Sequence, residues 1–157
     1  MELVIFVGLQ ASGKSTLYRA RFAATHAHIS KDLMGHNRRK ARRQEELVAA
    51  ALEAGRAVVV DNTNPTVEER APLIALGRRY GATVIGYYFE SSAGASLRRN
   101  EGREGKAQVP AVAIFATAKR LRRPSYAEGF DQLYDVRITG DEMFDVREWE
   151  EERDIDG

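Results

Sequence analysis

The sequence predicts an α/β protein: a parallel sheet with helices on both faces. Three observations carry that prediction. Short apolar runs alternate four times with longer helical stretches, which is the pattern of βαβ units. The first run, Leu3 to Val7, leads directly into Gly8 to Ser15, which reads G-x-x-x-x-G-K-S. Finally, acidic residues follow the second and third runs, Asp32 and Asp61, and ligands of such sheets sit outside the carboxyl ends of the strands.

Taken in order, each element has a local reason. Gly8 to Ser15 is a phosphate-binding loop, so the expected architecture is the P-loop NTPase fold. Gly8 and Gly13 let the backbone take positive φ and approach a phosphate without a Cβ in the way. The consecutive amides and the start of the next helix, Lys14 to Ala24, form an anion-binding concavity. Lys14 brings a full charge to the β- and γ-phosphates, and the Ser15 hydroxyl is a hard oxygen suited to Mg²⁺. Ala11, Ser12 and Thr16 complete the expected ATP-contacting set of the loop.

Ala27 to Ser30 is a short strand ending at Lys31-Asp32. Asn37 to Ala54 is a long helix with its apolar residues in the second half, closed by Gly55. Arg56 to Val60 reads as a fully buried strand that stops at Asp61. Thr63-Asn64-Pro65 starts a helix, with Pro near the first turn, that is carried by Val67 to Tyr80 and stops at Gly81. Ala82 to Phe89 is the fourth strand, followed by a helix around Ser92 to Asn100. Residues 101 to 108, EGREGKAQ, are polar with two glycines, and are expected to form a mobile lid loop before a helix from Pro110 to about Arg122. Leu133 to Ile138 and Met143 to Trp149 alternate around Gly140-Asp141, a hairpin signal.

At 157 residues the chain fits one domain with an acidic tail from about residue 150. There is no cysteine, hence no disulfide framework and no thiolate metal site, which suits a reducing cytoplasm. No signal peptide or membrane span is visible, and no membrane partner is expected. The net charge of +1 conceals an asymmetry. Met1 to Arg123 carries 21 Lys and Arg against 11 Asp and Glu, whereas Pro124 to Gly157 carries 3 against 12. A basic body suggests a polyanionic partner. The competing explanation is that surface Arg and Lys are solvated and paired with nearby Glu.

The candidate site follows from the strand ends. Asp61 stands where an apolar strand delivers an acid beside a bound Mg²⁺; alternatively it caps the turn into DNTNP. Asp32 stands where a kinase needs a carboxylate to accept a hydroxyl proton; alternatively it is a helix N-cap. Asp32 to Gly35 also spells the D-x-x-G of a GTP switch, but AHISK is a poor apolar strand and no N-K-x-D occurs. Arg99 and Arg103 bracket the lid, where an arginine can supply charge in cis to a transferring phosphoryl group. Arg38, Arg39, Lys40, Arg42 and Arg43 crowd six positions after Asp32 and invite a phosphate backbone. Pairing with Glu45 and Glu46 at helical spacing is the alternative. His26, His28 and His36 show no metal-ligand spacing and are expected to be satisfied or exposed, and Trp149 to pack.

With these residues in hand, the chain resembles the 5′-hydroxyl kinase domain of the polynucleotide kinase family, in both its phage and its animal form. The resemblance runs from about Leu3 to Ile138 through GLQASGKS, ISKDLMG, VVVDNTNPTVEER, LRRNEGREGKAQVP and PSYAEGF, in that order. It implies that Asp32 is the general base for the 5′-hydroxyl, that Lys14 and Ser15 serve phosphate and Mg²⁺, and that Asp61 is the functional acid of the D-x-T-N block. It also places Arg103 on the lid arginine that engages the donor phosphates, with Arg99 upstream of it. Lys31 and Thr63 join Asp32, Asp61 and the basic residues on the expected acceptor side. One departure stands out: Gly35 occupies the place of a phage arginine, as in the animal type, and the Arg38 to Arg43 cluster is the expected substitute for holding the acceptor phosphate.

The sequence thus points to an ATP- and Mg²⁺-dependent transfer of phosphate to the 5′-hydroxyl of DNA or RNA ends, as in end repair. Two other readings stay open. One is a kinase for a small metabolite or nucleoside on the same scaffold; the other is a nucleotide-binding switch without catalysis.

Overall fold

A computed structural model describes residues 1–35, 38–105, 108–140 and 143–150. The strands are β1 Glu2–Gly8, β2 Ala27–Ile29, β3 Val58–Val60, β4 Thr83–Phe89, β5 Gln132–Gly140 and β6 Met143–Glu148. The helices are α1 Lys14–Arg21, α2 Lys40–Glu53, α3 Val67–Arg79, α4 Ala93–Glu101 and α5 Ala111–Arg120. One sheet runs in the order β2-β3-β1-β4-β5-β6. The first five strands are parallel and β6 is antiparallel to β5.

β1 is central because Leu3 to Val7 has no polar face to offer water, and all five residues are fully buried. Leu3, Ile5 and Val7 pack on one side with Val48 and Leu52 of α2 and Leu73 and Ile74 of α3. Val4 and Phe6 pack on the other side with Leu17 and Tyr18 of α1, Phe22 just beyond it, and Phe89 of β4. Burying each large apolar side chain contributes about 1.5–3 kcal/mol. α3 lies close on the sheet at Gly77, where a Cβ would fall 2.6 Å from Val84 Cγ2. Among the described residues no helix is long and apolar enough to cross a membrane.

In register, Ile29 lies beside Val60 and Val60 beside Ile5. The loops after β1, β2 and β3 therefore leave from one edge of the sheet, and this brings the candidate residues together.

Several boundaries differ from the sequence expectation. α2 begins at Lys40 rather than Asn37; Asn37 lies outside the described residues, and Arg38 and Arg39 sit in a turn. Thr63-Asn64-Pro65 is not helical. Thr66 is the N-cap of α3, its Oγ1 accepting from Glu69 N at 3.1 Å, and Asn64 takes a positive φ of 42°. α5 stops at Arg120 because Leu121 is extended and Arg122 N–H donates to Pro65 O at 2.7 Å. The C-terminal strand pair is not an appendage. β5 pairs in parallel with β4 as well as with β6, and so extends the main sheet.

Candidate active site

The loop after β1 follows Ala11 (φ 57°), Gly13 (φ 95°) and the start of α1. A side chain at Gly13 would be strained twice, by that φ and by Ile138 Cδ1 of β5 only 2.8 Å from a Cβ. Gly8 N–H donates to Thr63 O at 3.0 Å, which pins the loop's first residue to the chain following β3. Thr63 thus enters through its backbone.

Lys14 is only 8% exposed, and its Nζ donates to Gly8 O (3.1 Å), Leu9 O (2.5 Å) and Ser12 Oγ (3.3 Å). Burial pushes its pKa down to about 8. Arg103 adds to this, while Asp61 and Asp32 act in the opposite direction.

Asp61 is 5% exposed, and its Oδ2 accepts from Ser15 Oγ at 2.8 Å. The turn-cap explanation of Asp61 is therefore insufficient, since its side chain is directed to the phosphate loop. The Ser15 hydroxyl and the Asp61 carboxylate are hard oxygen donors beside the loop that leads into α1, a fit for Mg²⁺. Among the described residues no three His, Cys, Asp or Glu gather as a metal cage. A cation there would complete its shell with nucleotide phosphates and water, as Mg²⁺ ordinarily does.

His28 also meets Asp61, with Nε2 2.8 Å from Oδ2. Its ring stacks on Tyr18 at 4.0 Å between centroids, and the Tyr18 hydroxyl donates to His26 O at 2.7 Å. His28 is satisfied, as expected, yet its place beside the candidate metal acid was not foreseen. The available signal was strand alternation. Ile29 faces the α2 and α3 core, so His28 must face α1 and the loop. His26 pairs with Glu2, and His36 lies outside the described residues.

Asp32 lies in a short 3-10 turn, Lys31–Met34, with its side chain exposed. It is not the N-cap. Ser30 fills that role, its Oγ accepting from Asp32 N at 3.3 Å and its carbonyl from Leu33 N at 3.0 Å. Lys31 N–H donates to Asn62 Oδ1 at 2.9 Å, which ties this turn to the residue after Asp61.

The basic cluster is split. Arg42 and Arg43 both reach Glu46 at 3.4 Å, so part of the helical-pairing alternative holds, through Glu46. Arg38, Arg39, Arg42 and Arg43 are nonetheless exposed. Arg99 lies in the last turn of α4 and Arg103 just beyond its end. Arg103 is half-buried. Arg99 lines a cavity of about 490 Å³ with Glu90, Ser92, Arg137 and Ile138. Ile138 is the residue against Gly13, so this cavity flanks the loop on the β5 side, away from Asp61. Of the segment between α4 and α5, residues 106 and 107 lie outside the described residues, as does the tail from 151. Trp149 packs as expected, edge-on to Tyr88 and 4.4 Å from the Arg123 guanidinium.

A family model described as an AAA domain matches residues 3–124. The chain belongs to that AAA domain family. It is 28% identical over 142 residues to a bifunctional polynucleotide phosphatase/kinase of Schizosaccharomyces pombe, covering 86% of this chain. The chain spans about a third of that relative's length, 33%. A fungal RNA kinase superposes with a TM-score of 0.66 at 15% identity, over 89% of this chain and 39% of that one. The APS kinase of Mycobacterium tuberculosis, solved with AMPPNP and APS, superposes with a TM-score of 0.61 at 18% identity, over 90% of each. This member of the AAA domain family therefore has the P-loop kinase fold, with the phosphate loop, Asp61 and the Asp32 turn at one edge of its sheet.

Proposed function

We propose that the protein is an ATP-dependent polynucleotide kinase that phosphorylates 5′-hydroxyl ends of DNA or RNA. The observation that carries this reading is the placement of Asp32 on the turn joined through Asn62 to Asp61, beside a complete phosphate loop. A carboxylate there can take the proton of a hydroxyl as the oxygen attacks the γ-phosphorus, while ADP leaves. Identity to the phosphatase/kinase of Schizosaccharomyces pombe supports the same acceptor class.

In this reading each residue has a defined task. The loop amides and Lys14 cradle the β- and γ-phosphates, and Arg103 adds charge from the lid side. Ser15 and Asp61 would hold Mg²⁺, which would supply positive charge against the nucleotide phosphates. Arg99 and the cavity at the β5 side belong to the donor half. Arg38, Arg39, Arg42 and Arg43 line the acceptor half and would meet its backbone phosphates. Transfer from γ-labelled ATP to 5′-hydroxyl oligonucleotides, with 5′-phosphorylated controls left unlabelled, is the expected result.

A metabolite kinase is the second reading, favoured by the similar fold of the APS kinase. It is distinguished by salt: a polynucleotide acceptor makes activity fall steeply with ionic strength, and a small neutral one does not. Label appearing only on small hydroxyl compounds would overturn the first reading.

A further inference from the structure

Asp32 is exposed, so its aim depends on how the backbone of its turn is held. Ser30 caps the turn from within. From outside, Asn62 Oδ1 accepts the Lys31 N–H at 2.9 Å. Since that oxygen must be the acceptor, the orientation of the Asn62 amide is fixed, and its Nδ2 donates to Gln44 Oε1.

Gln44 is the unusual member of this chain of bonds. The buried face of α2 consists of Gln44, Val48 and Leu52, one residue per turn, and Gln44 is 5% exposed. An apolar residue would pack there without desolvating an amide, and an unpaired buried amide costs about 1–3 kcal/mol. Here its carbonyl is spent on Asn62. One amide thus joins three segments: the turn after β2, the chain after β3, and the helix that carries Arg42 and Arg43. α2 also packs directly on the Asp32 turn.

We propose that Asn62 and Gln44 are positioning residues that hold the Lys31–Asp32 backbone so that the Asp32 carboxylate meets the acceptor hydroxyl. The proposal rests on the kinase reading above for its catalytic consequence. Neither residue touches the reacting atoms. Their effect is therefore on the chemical step and not on donor binding, because a catalytic group displaced by about 1 Å can cost on the order of 100-fold in rate.

The test uses Asn62→Ala, Gln44→Met and Gln44→Glu in the full chain. Gln44→Met keeps the buried volume and removes the acceptor; Gln44→Glu keeps an acceptor oxygen. Asn62→Ala and Gln44→Met should each lower kcat for 5′-hydroxyl transfer by about 10- to 100-fold with KM for ATP unchanged. Gln44→Glu should restore most of the loss, and the double variant should be no worse than Asn62→Ala alone. Amide exchange of Lys31, measured without nucleotide or acceptor, should quicken in Asn62→Ala and Gln44→Met but not in Gln44→Glu. Unaltered Lys31 exchange in Asn62→Ala, or a kcat for Gln44→Met equal to that of the unmodified protein, would overturn the proposal. Should the unmodified protein label no 5′-hydroxyl at all, the kinase reading falls, while the exchange measurement still judges the hold of Asn62 and Gln44 on the Lys31–Asp32 backbone.

Discussion

His28 Nε2 and Ser15 Oγ converge on the same oxygen, Oδ2 of Asp61, each at 2.8 Å. One partner comes from the phosphate loop and the other from β2, so the acid is fixed from two sides of β3. Were Ser15 to turn to a cation, His28 would remain to orient the carboxylate. Removing such an outer partner typically costs 10- to 100-fold in metal affinity or activity. His28→Ala should therefore raise the Mg²⁺ concentration for half-maximal transfer by about 10-fold or more. An unchanged Mg²⁺ titration would dissociate His28 from the metal side.

Lys14 gives a pH dependence with a definite sign. Its pKa is lowered to about 8 by burial first, with Arg103 contributing. Below that value the amine is charged and ready for phosphate; above it, the free protein holds a neutral amine. Bound phosphates favour the charged form, so nucleotide binding should take up a proton at pH 9 and weaken as pH rises from about 8 to 10. Calorimetry of ADP binding at pH 9 in buffers of different ionisation enthalpy measures the proton count directly.

The basic cluster can be tested in both directions. Arg42 and Arg43 share Glu46, which competes with any phosphate for their charge. Glu46→Gln should tighten oligonucleotide binding and steepen its salt dependence. Arg42→Ala with Arg43→Ala should weaken binding and reduce the slope of log affinity on log salt, by about 0.7 for each single-strand phosphate no longer neutralised. Fluorescence anisotropy of a labelled 5′-hydroxyl oligonucleotide over a salt series reads both.

Arg70 makes a separate claim, about stability. Its fully buried guanidinium donates to Glu128 (2.8 and 3.2 Å), Asn64 O (2.9 Å) and Arg122 O (3.1 Å). It thereby staples the chain after β3 to the chain after α5. Arg70→Ala leaves the Glu128 carboxylate buried without its partner and should cost about 3–5 kcal/mol in urea unfolding. Arg70→Lys cannot reproduce the fork and should also destabilise.

These residues show where sequence reading reaches. The loop, β1, β3 and the strand-end acids were legible because each is a local pattern: an apolar run, a glycine spacing, an acid directly after a run. Asp61 stood out for that reason, and its carboxylate accepts from Ser15 Oγ at 2.8 Å. His28, Gln44, Asn62 and Arg70 act through partners 33, 18, 18 and 58 positions away. Pairs at such separations leave no periodicity in the chain. Gln44 could have been noticed one turn before Val48 and Leu52 on the same helical face. The parallel pairing of β5 with β4 was hidden because the same residues alternate convincingly as one arm of a hairpin.

The central claim is that Asp32 and the phosphate loop are acceptor and donor halves of one kinase site. Its most direct test is end-labelling of a 5′-hydroxyl oligonucleotide by Asp32→Asn, with ADP affinity measured on the same preparation. The expected result is loss of labelling with ADP binding retained. Labelling at the rate of the unmodified protein would contradict the assignment of Asp32 and with it the two-half site.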